Sequence, residues 1–349
     1  MVKVTVLVAV YNAEQTLPLC LDSLKAQTMG DIQVVCIDDA STDGSWGILQ
    51  EYASADSRIE LVRLTENVGQ AKARNIGLRQ ARGNYVCFLD SDDWFSPDAL
   101  EHVVERFESD EQIDSVLFVC RYVYPLEAGS YLMPGKASGG VRTEDFAMPS
   151  FDTMPGTQAF ELSLSWKIHG VCAVKLPIHQ RFPYDEAARF ASDDNTTRFH
   201  YLVSRKVALC TGVYYYRQHE ASAVHQLTVR RFDYLTANIS LKQQMEKMEV
   251  EDRLLDEYEN VRWLNMLYLY SFYMDNSWRF TSADRRHALE MLQNSWQSIE
   301  IRRLSWRNHY KFGLFPFRLS WLPMRVGWTL FRIEETIYFG LKRLFAKLR

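Results

Sequence analysis

The sequence predicts an α/β fold, a mostly parallel sheet flanked by helices, followed by a helical C-terminal region. Three observations carry that expectation. Strand and helix signals alternate through the first 120 residues, polar loops rich in carboxylates follow the strands, and from about residue 227 the apolar spacing is wholly helical. The 349 residues give room for about two domains. The expected boundary lies near 225, with one domain over 1–225 (halves 1–120 and 121–225) and a helical region over 226–349.

Residues 2–10 form a β-branched run, the first strand. Residues 14–27 have helical spacing, with Leu17, Leu21 and Leu24 on one face. A second buried strand spans 32–37. Ser41-Thr42-Asp43 supplies a helix cap ahead of 46–52. Residues 59–64 read as a third strand, 70–80 as a helix, and Arg82-Gly83 as its stop. Residues 85–89 form a fourth strand, apolar enough to be buried on both faces. Residues 122–160 are rich in Gly, Pro and Ser and read as one long irregular segment. Two further strands, 171–175 and 206–216, flank a helix near 194–202. In a sheet of this kind ligands bind beyond the carboxyl ends of the strands, here at the loops 9–12, 38–43 and 90–93.

Hydrophobic residues make up 47% and charged residues 24%, a globular composition that excludes disorder and collagen-like repeats. The net charge of −4 hides an asymmetry: residues 301–349 hold 11 basic and 2 acidic side chains on an otherwise acidic chain. That distribution excludes a nucleic-acid binder built on one broad positive face. Six scattered cysteines with no C-x-x-C pair predict reduced core thiols rather than disulfides or zinc. No window reads as a signal peptide or membrane span, so a cytoplasmic location is expected.

Leu89-Asp90-Ser91-Asp92-Asp93-Trp94 sets three carboxylates just beyond a buried strand. Carboxylates this close repel one another unless a positive charge sits among them. A hard divalent ion with oxygen ligands, Mn²⁺ or Mg²⁺, fits, and such ions commonly hold substrate phosphates. Capping of a helix opening near Pro97 accounts for the same residues equally well when the string is taken alone.

The ordered set Val10-Tyr11-Asn12-Ala13-Glu14, Asp38-Asp39-Ala40-Ser41-Thr42-Asp43-Gly44-Ser45, Asn67-Val68-Gly69 with Ala73-Arg74-Asn75-Ile76-Gly77, and Asp90-Ser91-Asp92-Asp93 resembles the family-2 glycosyltransferases and their GT-A nucleotide-sugar fold. The resemblance is strong over 1–110 and weaker over 160–220. It implies a nucleotide-sugar half in 1–120 and an acceptor half in 121–225. Ala9, Tyr11, Asp38 and Asp39 would then hold base and ribose. The N–H of uracil suits Asp38 or Asp39, and Tyr11 suits stacking on the ring. Lys72 and Arg74 would reach base or diphosphate. Asp90, Ser91, Asp92 and Asp93 would surround ribose and the metal, with Asp90 and Asp92 as metal ligands.

The resemblance also implies inversion at the sugar carbon, which needs a base for the acceptor hydroxyl. Asp194 in Ser192-Asp193-Asp194 aligns with that base, with Asp193 standing where Glu is usual. Trp166 and Lys167 would shape the acceptor side. The stretch Tyr214 to Ala223 resembles a loop that closes over the diphosphate, so Arg217 or His219 would contact phosphate, and His219 is a further metal candidate.

Leu330, Ile333, Ile337, Leu341, Leu344 and Leu348 recur at helical spacing, with Arg325, Arg332, Arg343 and Lys347 in a second arc roughly 110° away. A basic amphipathic helix suits an anionic membrane surface, and equally suits packing on its own domain. Peripheral contact with the inner membrane would fit a lipid-linked acceptor. The expected enzyme moves a sugar from a nucleotide donor, UDP-linked by the resemblance, to a hydroxyl of a glycan or lipid-linked acceptor in surface polysaccharide synthesis. The competing readings are a nucleotidyltransferase, against which the absence of a Gly-rich basic loop after the first strand counts, and a catalytically dead transferase domain acting as a binding protein.

Overall fold

The computed structural model describes residues 1–125, 131–133, 136–138, 141–187, 192–218, 228–310 and 326. They fall into two compact units divided between Gln226 and Leu227.

In the first unit β1 (Val4–Val10), α1 (Leu17–Lys25), β2 (Ile32–Asp38), α2 (Ser45–Ala55), β3 (Ile59–Arg63), α3 (Gln70–Leu78) and β4 (Tyr85–Phe88) alternate as expected. Then come β5 (Trp94–Phe95), α4 (Ala99–Glu108), β6 (Ile113–Pro125), β7 (Tyr131–Met133), β8 (Lys136–Ser138), β9 (Val141–Asp145) and β10 (Thr153–Pro155). The unit ends with α5 (Gly156–Leu164), β11 (Cys172–Lys175), α6 (Leu176–Arg181), α7 (Ser192–Val203) and β12 (Lys206–Arg217).

The main sheet has the order β10-β12-β6-β11-β4-β1-β2-β3. Its β4-β1-β2-β3 half is parallel, whereas β11 runs antiparallel between β4 and β6. The sheet is therefore mixed. Reversal at β11 places the chain's later loops beside the loops of the parallel half. Residues 122–160, expected to be irregular, contribute the end of β6, then β9, β10 and the start of α5.

Side-chain alternation along β1 builds two cores. Val4, Val6, Val8 and Val10 pack in one cluster with Leu17, Leu21 and Leu24 of α1 and Leu100, Val103 and Phe107 of α4. Leu7 joins Val35, Ile37 and the α3 residues Ala71, Ala73 and Leu78 in the other. Gly77 lets α3 approach: a Cβ there would lie 2.5 Å from Ile37 Cδ1. All six cysteines are buried and free, five of them on strands.

The second unit contains α8 (Asp233–Lys247), α9 (Asp252–Asn276), α10 (Ser282–Ser298) and α11 (Trp306–Tyr310). Phe232, Leu235, Trp263, Met266, Ala288 and Leu292 share its apolar core. The charged stretch at 242–259 is not merely a solvated face. Glu259 is fully buried, with Lys242 at 3.2 Å and Arg262 at 2.7 Å, and Lys242 also reaches Glu300 at 2.6 Å. No described helix is long and apolar enough to cross a membrane. The expected basic amphipathic helix, Arg325 and its leucines included, lies outside the described residues, Val326 excepted.

Candidate active site

The first two loops are stitched to one another. Asn12 (φ 50°) and Ala40 (φ 59°) both take left-handed backbone, a sparsely populated state for non-glycine residues. Asn12 offers its side-chain oxygen to the Thr42 amide at 2.8 Å, and its own amide donates to Ser41 Oγ at 3.0 Å. Across the same seam the Glu14 carboxylate accepts the Gly44 amide at 2.7 Å, and the Asp43 carboxylate accepts the Glu14 amide at 3.1 Å. Several motif residues thus hold the loops that carry Ala9, which is part-buried, and Tyr11, which is half exposed.

Asp38 and Asp39 are both buried, with different partners. Asp39 accepts the Val68 amide at 2.8 Å and the Gly69 amide at 2.9 Å, fixing the start of α3 where Gly69 (φ 90°) needs its lack of a side chain. Asp38 Oδ1 accepts the Ser41 amide at 3.3 Å. Its buried Oδ2 has no hydrogen-bond partner, although Arg63 Nε stands 3.4 Å away.

Beyond β4, residues Asp90 to Asp93 form a turn closed by the Asp93 amide on the Asp90 carbonyl at 3.0 Å. Carboxylate oxygens of Asp90, Asp92 and Asp93 lie within 4.8 Å of one another. Burial, with Asp92 and Asp193 nearby, pushes Asp90 up to about 6 against the pull of Arg74. Burial, with the Asp92 and Asp90 charges nearby, also raises Asp93, against the hydrogen bonds from Tyr214 and Arg217. Asp93 accepts Tyr214 Oη at 2.7 Å and the Arg217 amide at 2.8 Å, one on each oxygen. Arg217 Nε donates to the Asp92 carbonyl at 2.7 Å, and its guanidinium lies 5.4 Å from the Trp94 ring. Asp93 and Arg217 therefore tie β12 to the acidic turn. Asp90 and Asp92 are the part-buried pair, an all-oxygen donor set of the kind a hard divalent ion takes. Ser91 is part-buried between them, and His219 lies outside the described residues.

Arg74 is the hub. Fully buried, it hydrogen bonds Asp90 through Nη2 and reaches Asp193 Oδ2 through Nη1 at 3.3 Å, with its guanidinium 4.2 Å from the Phe88 ring. Burial disfavours its charge, but Asp90, Tyr184 and Asp193 outweigh that and raise its pKa. Lys72, two positions earlier and so about 200° round the helix, is exposed.

On α7, Asp194, Thr197, Arg198 and Tyr201 recur at helical spacing and face the segment that leaves α5. With Trp166 and His169 they line a small, shallow depression open to solvent. Burial, with Asp193 adjacent, pushes Asp194 up to about 8, Arg198 and Arg74 opposing. Trp166 is left-handed (φ 58°) and 41% exposed. It ends α5 in a Schellman motif, with the Lys167 amide on the Leu162 carbonyl at 2.9 Å and its own amide on Ser163 at 3.2 Å. Glycine normally takes that position. Lys167 is exposed.

Sequence reasoning missed Tyr214 and Asn75. Asn75 accepts the Tyr184 amide at 2.8 Å and donates to the Tyr184 carbonyl at 2.9 Å. Its place in the Ala-Arg-Asn-Ile-Gly string was a usable signal. Tyr214 stood in a quoted stretch without a role of its own, because its partners Asp90 and Asp93 are remote in sequence.

A sheet parallel in one half and mixed in the other, with acidic loops at the carboxyl ends of its strands, defines an α/β transferase of the GT-A fold. A sequence profile described as glycosyl transferase family 2 matches residues 5–173. EpsH of Bacillus subtilis strain 168, provisionally named a glycosyltransferase, is 30% identical over 299 residues, covering 83% of this chain and 81% of that one. The chain belongs to glycosyltransferase family 2 and is an enzyme of that class.

Among solved structures, S. aureus TarS in complex with UDP-GlcNAc matches with a TM-score of 0.64 at 19% identity, over 86% of this chain and 82% of that one. A mannosyltransferase from Pyrobaculum calidifontis, in complex with GDP-Man and Mn²⁺, matches at 0.50 and 17% identity, over 94% and 85%. These likenesses bear on the fold. Family membership displaces the nucleotidyltransferase reading.

Proposed function

We propose that the enzyme is an inverting, metal-dependent transferase that moves a sugar from a UDP-linked donor to a hydroxyl of a surface glycan or lipid-linked precursor. The observation that carries this reading is the single Arg74 guanidinium shared by Asp90 of the acidic turn and Asp193 beside Asp194. Donor-side and acceptor-side carboxylates are thereby held in one rigid group.

In this reading Asp38 or Asp39 accepts the base N–H and Tyr11 stacks on its ring. Asp38 Oδ2, buried with Arg63 near it but without a hydrogen-bond partner, favours a donor of that kind. Lys72 stays free to reach the diphosphate from the exposed face of α3. A bound Mn²⁺ or Mg²⁺ at Asp90 and Asp92 would supply positive charge to the leaving diphosphate. Asp194 removes the acceptor proton as the hydroxyl oxygen bonds the sugar C1 and the C1–O bond to the diphosphate breaks. A carboxyl tuned towards 8 suits a base working near neutral pH better than an ordinary aspartate does. The UDP-GlcNAc bound to TarS and the Mn²⁺ in the archaeal mannosyltransferase are consistent with this donor and ion.

The test is the thermal unfolding midpoint with UDP, GDP, CDP and dTDP, each with Mn²⁺ or with EDTA. Ligands of the native state raise it by mass action. A UDP shift that EDTA removes supports the reading, and an equal shift with all four nucleotides would reject uridine selectivity.

The basic C-terminal segment is proposed to hold the enzyme at an anionic membrane surface on the cytoplasmic side. Deleting 321–349 should abolish sedimentation with anionic vesicles and keep nucleotide binding. Unchanged sedimentation would exclude it.

A further inference from the structure

Gln70 and Arg74 stand one turn apart on α3, and both donate to the same oxygen of Asp90. Gln70 Nε2 lies 2.8 Å from Asp90 Oδ1, and Arg74 Nη2 hydrogen bonds that oxygen as well. A carboxylate offers about two lone-pair sites per oxygen, so protein donors fully engage Oδ1. No described residue hydrogen bonds Oδ2. Asp90 therefore has one oxygen left to offer a ligand.

The two donors are placed by a rigid helix start. Asp39 accepts the Val68 and Gly69 amides, which fixes the backbone just before Gln70, and the Gly69 carbonyl accepts the Ala73 amide at 3.0 Å. Arg74 is fully buried, its guanidinium 4.2 Å from the Phe88 ring and 5.3 Å from the Tyr184 ring. Gln70 is exposed and reaches Asp90 from the solvent side. Arg74 balances the carboxylate charge, whereas the neutral Gln70 amide adds none. What Gln70 changes is the number of oxygens that Asp90 can turn towards an ion.

We propose that Gln70 sets the ion selectivity of the acidic turn: by occupying a lone pair of Asp90 Oδ1 it holds Asp90 to one-oxygen ligation, which disfavours Ca²⁺ against Mn²⁺ or Mg²⁺. The inference rests on the reading of Asp90 and Asp92 as the ion's ligands. Ca²⁺ takes about six to eight oxygens, often both oxygens of one carboxylate. Mg²⁺, and Mn²⁺ with it, favours a near-octahedral set met by carboxylates that each give one oxygen. A turn whose Asp90 cannot chelate is short of ligands for the larger ion and complete for the smaller ones. Gln70 acts through Asp90 and is a positioning residue.

Isothermal titration of Mn²⁺ and of Ca²⁺ into the full chain with UDP present, less the titrations into UDP alone, reads both affinities. The wild type should prefer Mn²⁺. Gln70→Met, similar in length but without a donor, should cut the Mn²⁺/Ca²⁺ affinity ratio by roughly three- to tenfold, mainly through a gain for Ca²⁺. The unfolding midpoint of the ligand-free chain should stay unchanged. Gln70→Lys returns an N–H donor, and its charge weakens both ions alike, so the ratio should move back towards the wild-type value. An unchanged ratio in Gln70→Met, or one that Gln70→Lys fails to restore, would overturn the proposal. So would a wild type that takes Ca²⁺ as tightly as Mn²⁺, a result that needs no variant and is untouched by misfolding. Two failures are separable: if neither ion binds the wild type with UDP, the reading of the acidic turn as the ion site falls and this inference with it, whereas Mn²⁺ binding with an unmoved ratio removes the role of Gln70 alone.

Discussion

Arg74 Nη1 stands 3.3 Å from Asp193 Oδ2 across 119 residues of sequence, while Nη2 of the same guanidinium hydrogen bonds Asp90. One cation thus compensates two carboxylate sites that the sequence presents as separate motifs. Lysine has no fork to span them. Arg74→Lys should therefore lower kcat more than it raises the donor KM. Arg74→Met should cost on the order of 2 kcal/mol, a charged-hydrogen-bond loss softened by the partial exposure of both carboxylates. Urea unfolding and steady-state kinetics check the pair, and a stable Arg74→Met with wild-type kcat would contradict the hub.

Asp194→Asn should lose roughly 10²- to 10⁴-fold in kcat, the range for a general base. It should also stabilise the protein. The folded-state pKa of about 8 lies above the ordinary aspartate value, so between roughly pH 4 and pH 8 the folded chain binds the extra proton and its stability falls as pH rises. The gain in midpoint from the substitution should grow over that window and vanish below it. Rate should rise with pH through about 8. A variant no more stable than wild type at pH 8 would count against the raised pKa.

Asp92→Asn should remove the Mn²⁺-dependent part of the UDP stabilisation. At a nucleotide concentration of about 100 Kd that stabilisation is about 2.7 kcal/mol in the wild type. Isothermal titration of Mn²⁺ with UDP bound provides the direct reading, and an undiminished ion affinity would move the metal away from Asp92.

Tyr214→Phe removes the phenol that donates to Asp93 Oδ2 and accepts the Asp90 amide. Asp93 is 2% exposed, so the loss should be roughly 1–3 kcal/mol, the cost of a buried group left unmatched. Loosening of the acidic turn should also raise the donor KM. Loss of stability with unchanged KM would confine Tyr214 to a scaffold role.

Glu259→Leu leaves Lys242 and Arg262 as buried cations without their shared carboxylate. A penalty of about 3–5 kcal/mol is expected. Denaturation followed by tryptophan fluorescence should show an early transition of the helical unit, and a midpoint within error of wild type would show that the network contributes nothing.

Much was legible in the chain itself. The parallel half came from local signals: β-branched runs at β1 and β2 and the helical spacing of Leu17, Leu21 and Leu24. The expected Ser41-Thr42-Asp43 cap does not form as read, because Gly44 is the N-cap of α2 and Ser41 and Thr42 are engaged by the Asn12 loop. The acidic string Asp90 to Asp93 and the pair Asp193-Asp194 were visible because each motif is contiguous.

Only the tertiary structure decided which of those carboxylates share partners. The Arg74 bridge and the Tyr214–Asp93 hydrogen bond join residues from different strands and helices, and no local pattern encodes such contacts. Charge placement behaved the same way: nothing local in 242–259 marks Glu259 as the carboxylate that packing buries. Sequence determines backbone preference and periodicity, which are short-range. Burial, and with it the elevated pKa values of Asp90 and Asp194, arises from the summed desolvation by neighbours that only the folded chain brings together.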